Sequence, residues 1–284
     1  MSLDSSPKPS VAFGHFEFVK SELSLLFTRR RTWAMLFTIS LIPIFLAIAV
    51  SLSGSTVPPG EGPPFLDRVS QNGLFVGFTA MVLAIPFFLP LTMAVVSGDT
   101  IAGEANTGTL RYLLIAPLSR AKLLLVKFIG AGAFALAATF TLMLTGIIIG
   151  SILFPIGPVT LLSGEVIPIP DALLRIALVA IYVSISLMGV AAIGLFISTL
   201  TVVPVGAMAA TVILSTVSQI LGSLPQIEVI HPYLPTYYWL GFADFLRSPL
   251  DFTSFTSNLL LQLGYILIFG SFAYSKFTTK DVLS

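Results

Sequence analysis

Six long apolar segments, each without an ionisable residue near its middle, set the strongest limit on how this chain can fold. A helix of about 20 apolar residues crosses the roughly 30 Å hydrocarbon core of a bilayer. Charged residues make up 10% of the chain, whereas soluble domains carry about 25%. We therefore predict an all-α integral membrane protein with a single transmembrane domain over residues 1–284. The predicted spans are residues 33–53, 73–97, 123–154, 172–199, 202–222 and 257–274.

The distribution of basic residues predicts the orientation of these spans. Six spans place both termini on one side of the membrane, together with the polar segment 98–122. Most of the 14 Lys and Arg residues fall on that side, and the other side holds only Arg68, Arg175 and Arg247. Loops rich in Lys and Arg stay in the cytoplasm. We therefore expect cytoplasmic termini, a cytoplasmic segment 98–122, and a location in the cytoplasmic (inner) membrane.

The N-terminal residues 1–31 precede the first span as a polar tail and a helix. Apolar residues between Phe13 and Phe27 recur with helical spacing, which predicts an amphipathic helix in the membrane interface. A continuation of the first span is the alternative. A basic block at the membrane edge follows, formed by Arg29, Arg30 and Arg31. The block is interpreted either as a docking site for a partner or as a positive-inside anchor, and the anchor is the commoner role.

Prolines and aromatic residues mark two irregular regions. Pro86 and Pro90 lie inside the second span, and a proline within a helix removes a backbone hydrogen bond, so a kink is expected. The linker of residues 223–256 is predicted to be extracytoplasmic. Its aromatic residues include Tyr233, Tyr237, Tyr238 and Trp239. Since Tyr and Trp favour the lipid–water boundary, we expect short interfacial or re-entrant helices in the linker between the fifth and sixth spans.

The span interiors disfavour several classes of membrane protein. Ion-coupled carriers usually hold the coupling ion on ionisable groups within the membrane, and none lies near the middle of a predicted span. The same observation argues against a membrane protease or a metal enzyme. The chain has no cysteine, and its two histidines, His15 and His231, lie far apart in the sequence. We expect no metal site in this chain.

The polar segment 98–122, between the second and third spans, predicts a short helix of its own. Asn106 or Thr107 can cap the start of this helix, and Pro117 can end it. The apolar residues that share one of its faces are Leu110, Leu113 and Leu114. Such a helix lies parallel to the membrane, and its leucines either fit a groove on a soluble partner or rest on lipid.

Several charged residues flank this helix. Glu104 can bind Arg111 or Arg120, cap the start of a helix, or remain a solvated charge at the interface. Asp99 has a weaker case for a specific role, because the interface tolerates a charge. The first turns of the third span, which include Lys127, are expected to project into the cytosol.

The run GDTIAGEANTGTLRYLLIAPLSRAKLLLVKFIGA, residues 98–131, resembles the signature of ABC type-2 permeases, the membrane subunits of ATP-binding-cassette exporters. The matching features are Gly103–Glu104, Gly108–Thr109–Leu110, Leu113–Leu114, the turn Pro117–Arg120, and Lys127 before Gly130–Ala131. The ending Phe277…Lys280–Asp281–Val282 is also similar. Within the family, the chain looks most like the small permeases of multidrug or antibiotic exporters and of the copper-site maturation system of nitrous oxide reductase.

The resemblance implies a site and its partners. The helix around residues 107–116 is implied to be a coupling helix that docks into a soluble ABC ATPase, and linker 199–204 is implied to be a second, smaller contact. The implied docking residues are Glu104, Thr107, Gly108, Thr109, Leu110, Arg111, Leu113, Leu114, Pro117 and Arg120. Two ATPases and a second permease chain, in a homodimer or a heterodimer, are implied, and no nucleic acid is. The sequence lacks a Gly-rich phosphate loop, so this chain is expected to be no enzyme and to bind no cofactor, with ATP and Mg on the ATPase.

The sequence is compatible with three functional hypotheses. The first is an exporter permease in which ATP hydrolysis by the partner drives alternating access for a drug, an antibiotic or a lipid-like solute. The second is a membrane scaffold that transmits ATPase-driven conformational change to an extracytoplasmic partner. The third, an ion-coupled carrier or channel, is disfavoured by the span interiors.

The spacing of Gly146 and Gly150 also permits close packing between helices.

Overall fold

The computed structural model describes residues 13–53, 66–109 and 119–279. The helices in these ranges are α1 (Phe13–Thr28), α2 (Arg30–Ser53), α3 (Leu66–Val69), α4 (Phe75–Ala84), α5 (Phe88–Asn106), α6 (Arg120–Leu153), α7 (Ile169–Ser186), α8 (Met188–Leu200), α9 (Pro204–Gly222) and α10 (Thr253–Thr279). Two 3-10 segments, Pro225–Tyr233 and Gly241–Leu246, lie in the linker before α10.

The described helices are those of an all-α membrane protein. Five stretches are long and apolar enough to cross a membrane, and the bent pair α4 and α5 makes a sixth if it counts as one span. The five stretches are α2, α6, the joined α7 and α8, α9 and α10. The apolar segments of the sequence therefore predict the fold class correctly.

The second span is broken where the sequence predicts a kink. The axes of α4 and α5 differ by 59°, and Pro86 lies in the short break between them. Proline cannot donate the hydrogen bond that would continue α4. The side chain of Gln219 on α9 donates to the Pro86 carbonyl oxygen at 2.7 Å. Pro90 lies in the first turn of α5, where a proline is tolerated.

Glycines bring α4 and α6 into backbone contact. A Cβ atom on Gly146 would lie 2.5 Å from the Cα of Gly77, and one on Gly150 would lie 2.1 Å from the carbonyl oxygen of Gly73. Any larger residue at these positions would collide with the facing backbone. The small-residue spacing at Gly146 and Gly150 thus packs against a matching pair within the same chain.

One aromatic residue of the linker before α10 is more deeply buried than its residue type predicts. Trp239 is 3% exposed, and its indole donates to the carbonyl oxygen of Ser186 at 3.1 Å. The side chain of Gln262 on α10 donates to the Pro235 carbonyl at 3.0 Å and accepts from the amide of Gly189. Trp239 therefore packs inside the bundle, and not at the lipid boundary that its residue type predicts.

A small β-hairpin between α6 and α7 is a feature that the sequence prediction missed. Strand β1 (Val159–Thr160) pairs antiparallel with β2 (Val166–Ile167). The guanidinium of Arg68 donates to the carbonyls of Thr160 and Leu161 at 2.7 and 3.2 Å. Strands of two residues are too short for a periodic pattern to predict them.

Candidate functional site

A cluster of ionised side chains joins four helices at one end of the bundle. We call it the ion-pair cluster. Its members are Glu22 on α1, Arg29 and Arg31 at the junction of α1 and α2, Asp99 and Glu104 on α5, and Lys127 on α6. Thr109 lies beside the cluster, because its hydroxyl donates to the carboxylate of Glu104.

Lys127 is the most buried member of the ion-pair cluster. Its side chain is 3% exposed, and its ammonium nitrogen lies 3.0 Å from both carboxylate oxygens of Glu22 and 3.1 Å from Oε1 of Glu104. An ammonium group so deeply buried requires such partners, because removal from water is costly for an unpaired charge. Lys127 is therefore enclosed by α1 and α5, and the projection of these first turns into the cytosol stays a prediction.

Opposing effects act on the carboxyl group of Glu104. Burial by itself raises its pKa, but the hydrogen bond from the Thr109 hydroxyl, the charge and hydrogen bond of Lys127 and the charge of Arg29 outweigh burial, so the pKa lies below its ordinary value of 4.5. The nearest guanidinium nitrogen of Arg29 is 3.9 Å away. Glu104 is therefore ionised at neutral pH and holds α5 to α6.

Of the partners predicted for Glu104, Arg111 lies outside the described residues and Arg120 binds elsewhere. One guanidinium nitrogen of Arg120 donates to the carbonyls of Phe277 and Thr278 at 2.7 and 2.8 Å. These carbonyls lie in the last turn of α10, where helical carbonyls have no partner within the helix. Arg120 thus ties the start of α6 to the end of α10.

Two arginines of the basic block bind α5. Arg31 lies 2.5 Å and Arg29 3.4 Å from the same oxygen of Asp99, and Arg30 is exposed on α2. Asp99 therefore fixes the junction of α1 and α2 against the second span. From the sequence alone, Asp99 has a weaker case for a specific role than Glu104. The sequence pattern shows three adjacent bases but not which of them turn toward α5.

The start of the predicted coupling segment belongs to α5. Thr107 ends that helix, and its hydroxyl donates back to the Gly103 carbonyl at 2.9 Å. Gly108 follows with a φ of 75°, the left-handed conformation in which glycine commonly terminates helices. Asn106 and Thr107 therefore lie at the end of α5, and the helix that either was predicted to cap falls outside the described residues. The predicted residues Leu110, Arg111, Leu113, Leu114 and Pro117 lie outside the described residues.

Ser198 is a buried contact that the sequence reading missed. Its hydroxyl accepts from the backbone amides of Ile101 and Ala102 at 3.0 and 2.8 Å and donates to the carbonyl of Gly98 at 2.8 Å. Ser198 lies near the end of α8, directly before the short linker 199–204. The only signal in the sequence is a small polar residue late in an apolar span. This hydroxyl joins the end of α8 to α5.

The aromatic residues predicted in the linker occupy different environments. Tyr233 is 71% exposed and Tyr237 is 46% exposed, whereas Trp239 is buried. The rings of Tyr237 and Tyr238 meet edge to face at 4.9 Å. An open cavity of about 320 Å³ lies where the break in the second span meets the end of α9 and this linker, and its lining includes Pro86, Gln219 and Tyr237.

Comparison with known proteins agrees with the architecture. Residues 18–282 match the profile of the ABC-2 family transporter proteins. Over 71 residues the chain is 39% identical to the "Probable ABC transporter permease protein NosY" of Pseudomonas aeruginosa, a match that covers 22% of this chain and only 26% of that protein. The family match extends over nearly the whole length and includes every described span. This chain belongs to the ABC-2 family of transporter proteins and is a multi-pass membrane subunit of an ABC transporter.

Proposed function

We propose that this chain is the permease subunit of an ATP-binding-cassette exporter. ATP, with Mg, is hydrolysed on a separate ATPase that docks on residues 107–116, and the resulting movement opens the spans alternately to the two sides of the membrane. One observation carries the proposal: Lys127 and Glu104, which lie on either side of this segment, are paired at 3.1 Å. A displacement of the segment therefore acts on α5 and α6 together.

The ion-pair cluster supports a route for that displacement. Lys127 also binds Glu22 at 3.0 Å, so α1 follows any movement of α6. Asp99 binds Arg31, so the first span follows α5. The buried ion pairs of Lys127 hold their members in a defined geometry, because a charge separated from its partner is left with a large desolvation cost. In the proposed mechanism these helices move as one body when the ATPase pulls on the leucine face of the coupling helix.

The proposal also includes an orientation of the chain in the membrane and a subunit composition of the transporter. The termini and the ion-pair cluster face the cytoplasm, where the ATPase is, and the linker 223–256 faces the other side of the inner membrane. Two permease chains and two ATPases form the transporter. The cavity at Pro86, Gln219 and Tyr237 combines an aromatic ring with uncharged hydrogen-bonding groups, which suits an amphipathic solute such as a drug, an antibiotic or a lipid-like molecule.

A second candidate function is conformational signalling to an extracytoplasmic partner. The attachment of the linker to the spans favours it. The hydroxyl of Tyr182 on α7 donates to the Tyr238 carbonyl at 2.6 Å, and Gln262 on α10 binds the Pro235 carbonyl. A movement of α7 or α10 is thereby transmitted to the exposed Tyr233, which a partner could contact.

The test of the exporter proposal is a pull-down of the tagged chain from its native membrane, with the co-purified proteins identified. We expect a soluble ATPase in near one-to-one amount. Leu113→Pro should release the ATPase while the chain still inserts, because proline breaks the coupling helix. Leu113→Met, which keeps helix propensity and an apolar side chain, should retain it. Retention of both the ATPase and transport by Leu113→Pro would refute the docking assignment.

Two further measurements separate the candidate functions. Stimulation of ATPase activity by a transported solute supports export. Stimulation only by an extracytoplasmic protein supports signalling. Solute movement that depends on Na⁺ or protons and needs no ATP would exclude both export and signalling, and would indicate an ion-coupled carrier.

A further inference from the structure

A groove on the lipid-facing side of the bundle lies next to the end that holds the ion-pair cluster. It runs between the start of α6, α8 and the end of α10 and encloses about 220 Å³. Its floor is made of small residues: Ala121, Ala192, Gly270 and Ala273. Larger apolar side chains, among them Phe128 and Ile266, form its walls.

The dimensions of the groove fit a flexible chain. Along α6 it extends from Ala121 to Phe128, and along α10 from Ile266 to Tyr274, which is about 10–12 Å at the helical rise. Its surface is almost entirely apolar, and α8 contributes no charged residue to it. These properties match part of one lipid acyl chain.

Among the described residues, the charged side chains that α6 and α10 place at the end of the groove are basic. Arg120 precedes Ala121, Lys122 follows it, and Lys276 lies two residues beyond Tyr274. No acidic residue occurs in residues 119–130 of α6 and its cap, in α8, or in residues 266–279 of α10. Lys122 and Lys276 are both exposed. Tyr274 is 49% exposed, as expected for a ring at the level of the headgroups.

We propose that this groove binds one anionic phospholipid of the leaflet on the side of the ion-pair cluster. An acyl chain lies on the small-residue floor, and the phosphate lies near the bases of α6 and α10. Basic pockets between membrane helices bind anionic headgroups by this combination of charge and apolar surface. The bound lipid bridges α6 and α10 beside the contact of Arg120 with the end of α10, and the proposal does not depend on the transported solute or on the ATPase.

The test uses native mass spectrometry of the full chain, purified in detergent with the subunits that accompany it. Phosphatidylglycerol and phosphatidylcholine with identical acyl chains are added as probes. Each base near a headgroup contributes roughly fivefold in affinity. We expect phosphatidylglycerol to be retained roughly twenty-five-fold more tightly than phosphatidylcholine, on the basis of two such bases.

Two variants separate the acyl-chain site from the headgroup site. A Cβ on Gly270 would meet no atom within 4 Å, so Gly270→Leu fills the groove without a backbone collision and should abolish retention of both lipids. Gly264→Leu is the matched control, because Gly264 is equally open on the same helix but does not line the groove. The double variant Lys122→Gln, Lys276→Gln should lose the preference for phosphatidylglycerol, whereas Lys20→Gln on α1 should keep it.

Two results of these measurements would overturn the proposal. Equal retention of the two lipids by the unmodified chain overturns the anionic assignment. Wild-type retention by Gly270→Leu overturns the groove as the site. If Gly270→Leu fails to fold, the lysine variants still decide, because both lysines are exposed and their replacement leaves the core intact.

Discussion

The two ends of the spans satisfy their charges in different ways. At the ion-pair cluster, Arg31 binds Asp99 and Lys127 binds Glu22 and Glu104. At the other end, which we call the linker cap, Arg68 and Arg175 bind main-chain carbonyls. Those contacts are Arg68 to Thr160 and Leu161, and Arg175 to Phe245 and Arg247.

The kind of contact determines which end of the spans responds to pH and salt. A carbonyl oxygen carries no titratable charge, so the contacts of the linker cap persist over a wide range of pH and are screened little by salt. Carboxylates can be protonated, and exposed ion pairs are weakened by salt. The ion-pair cluster is therefore the adjustable end, beside the segment that the proposed ATPase moves, and the linker cap is the fixed end.

The largest effect is expected for Lys127→Met. Loss of the ammonium leaves Glu22 and Glu104 close together and partly buried, which should destabilise the protein by about 3 kcal/mol. Thermal unfolding in detergent measures the loss. The double variant Lys127→Met, Glu104→Gln should recover part of it, because one unpaired charge is removed. A double variant that is less stable than Lys127→Met would contradict the assigned pair.

Arg175→Met tests the linker cap. Arg175 is 9% exposed, and its removal leaves the carbonyls of Phe245 and Arg247 without this donor, at a cost of about 2 kcal/mol. The chain has two tryptophans, so a Trp33→Phe background leaves buried Trp239 as a local fluorescence reporter. We expect its emission to shift to the red and to be insensitive to salt. An unchanged spectrum would show that Arg175 does not hold the linker.

The sequence predicts the spans well because hydrophobicity and length are local properties. Pro86 likewise identifies the break in the second span without reference to any other residue. The sequence does not predict that Trp239 is buried, because Trp prefers the membrane interface and its contact with Ser186 joins residues far apart in the chain. The hairpin at Val159 is too short to produce a pattern.

The candidate site is less predictable than the spans. The sequence singles out Glu104, but its partner Lys127 is 23 residues away and the third, Glu22, lies on a helix whose packing the sequence does not give. Ion pairs between distant segments depend on how helices pack, and many combinations of 14 bases and 13 acids are compatible with the same span prediction.

Acidification should loosen the ion-pair cluster and leave the carbonyl contacts of Arg68 and Arg175 unchanged. The pKa of Glu104 is lowered in the folded state, so its stabilising contribution is complete above the ordinary value of 4.5 and is lost as the pH falls through the lower folded value. Asp99 and Glu22 are the other carboxylates of the cluster, opposite Lys127 and Arg29. The loss should be smaller than that of Lys127→Met, because the ammonium remains.

Spin labels can follow this loosening, since the natural chain has no cysteine. Labels on Lys20→Cys in α1 and Leu136→Cys in α6, both exposed positions, should move apart as the pH falls below 4.5. The control is Glu104→Gln in the same labelled chain, which should show a weaker dependence on pH. An identical dependence on pH in both proteins would contradict the assignment of the effect to Glu104.

The smallest effect is expected for Asp99→Asn. Arg29 and Arg31 have side chains about 40% exposed, and pairs of this kind contribute about 0.5 kcal/mol. Thermal unfolding at low and high salt should show a difference between Asp99→Asn and the unmodified chain that narrows as salt is added, because exposed charges are screened. The matched comparison is Arg175→Met, whose deficit should not change with salt. A deficit of Asp99→Asn that is independent of salt would place this pair with the fixed contacts of the linker cap and confine the adjustable part of the cluster to Glu22, Glu104 and Lys127.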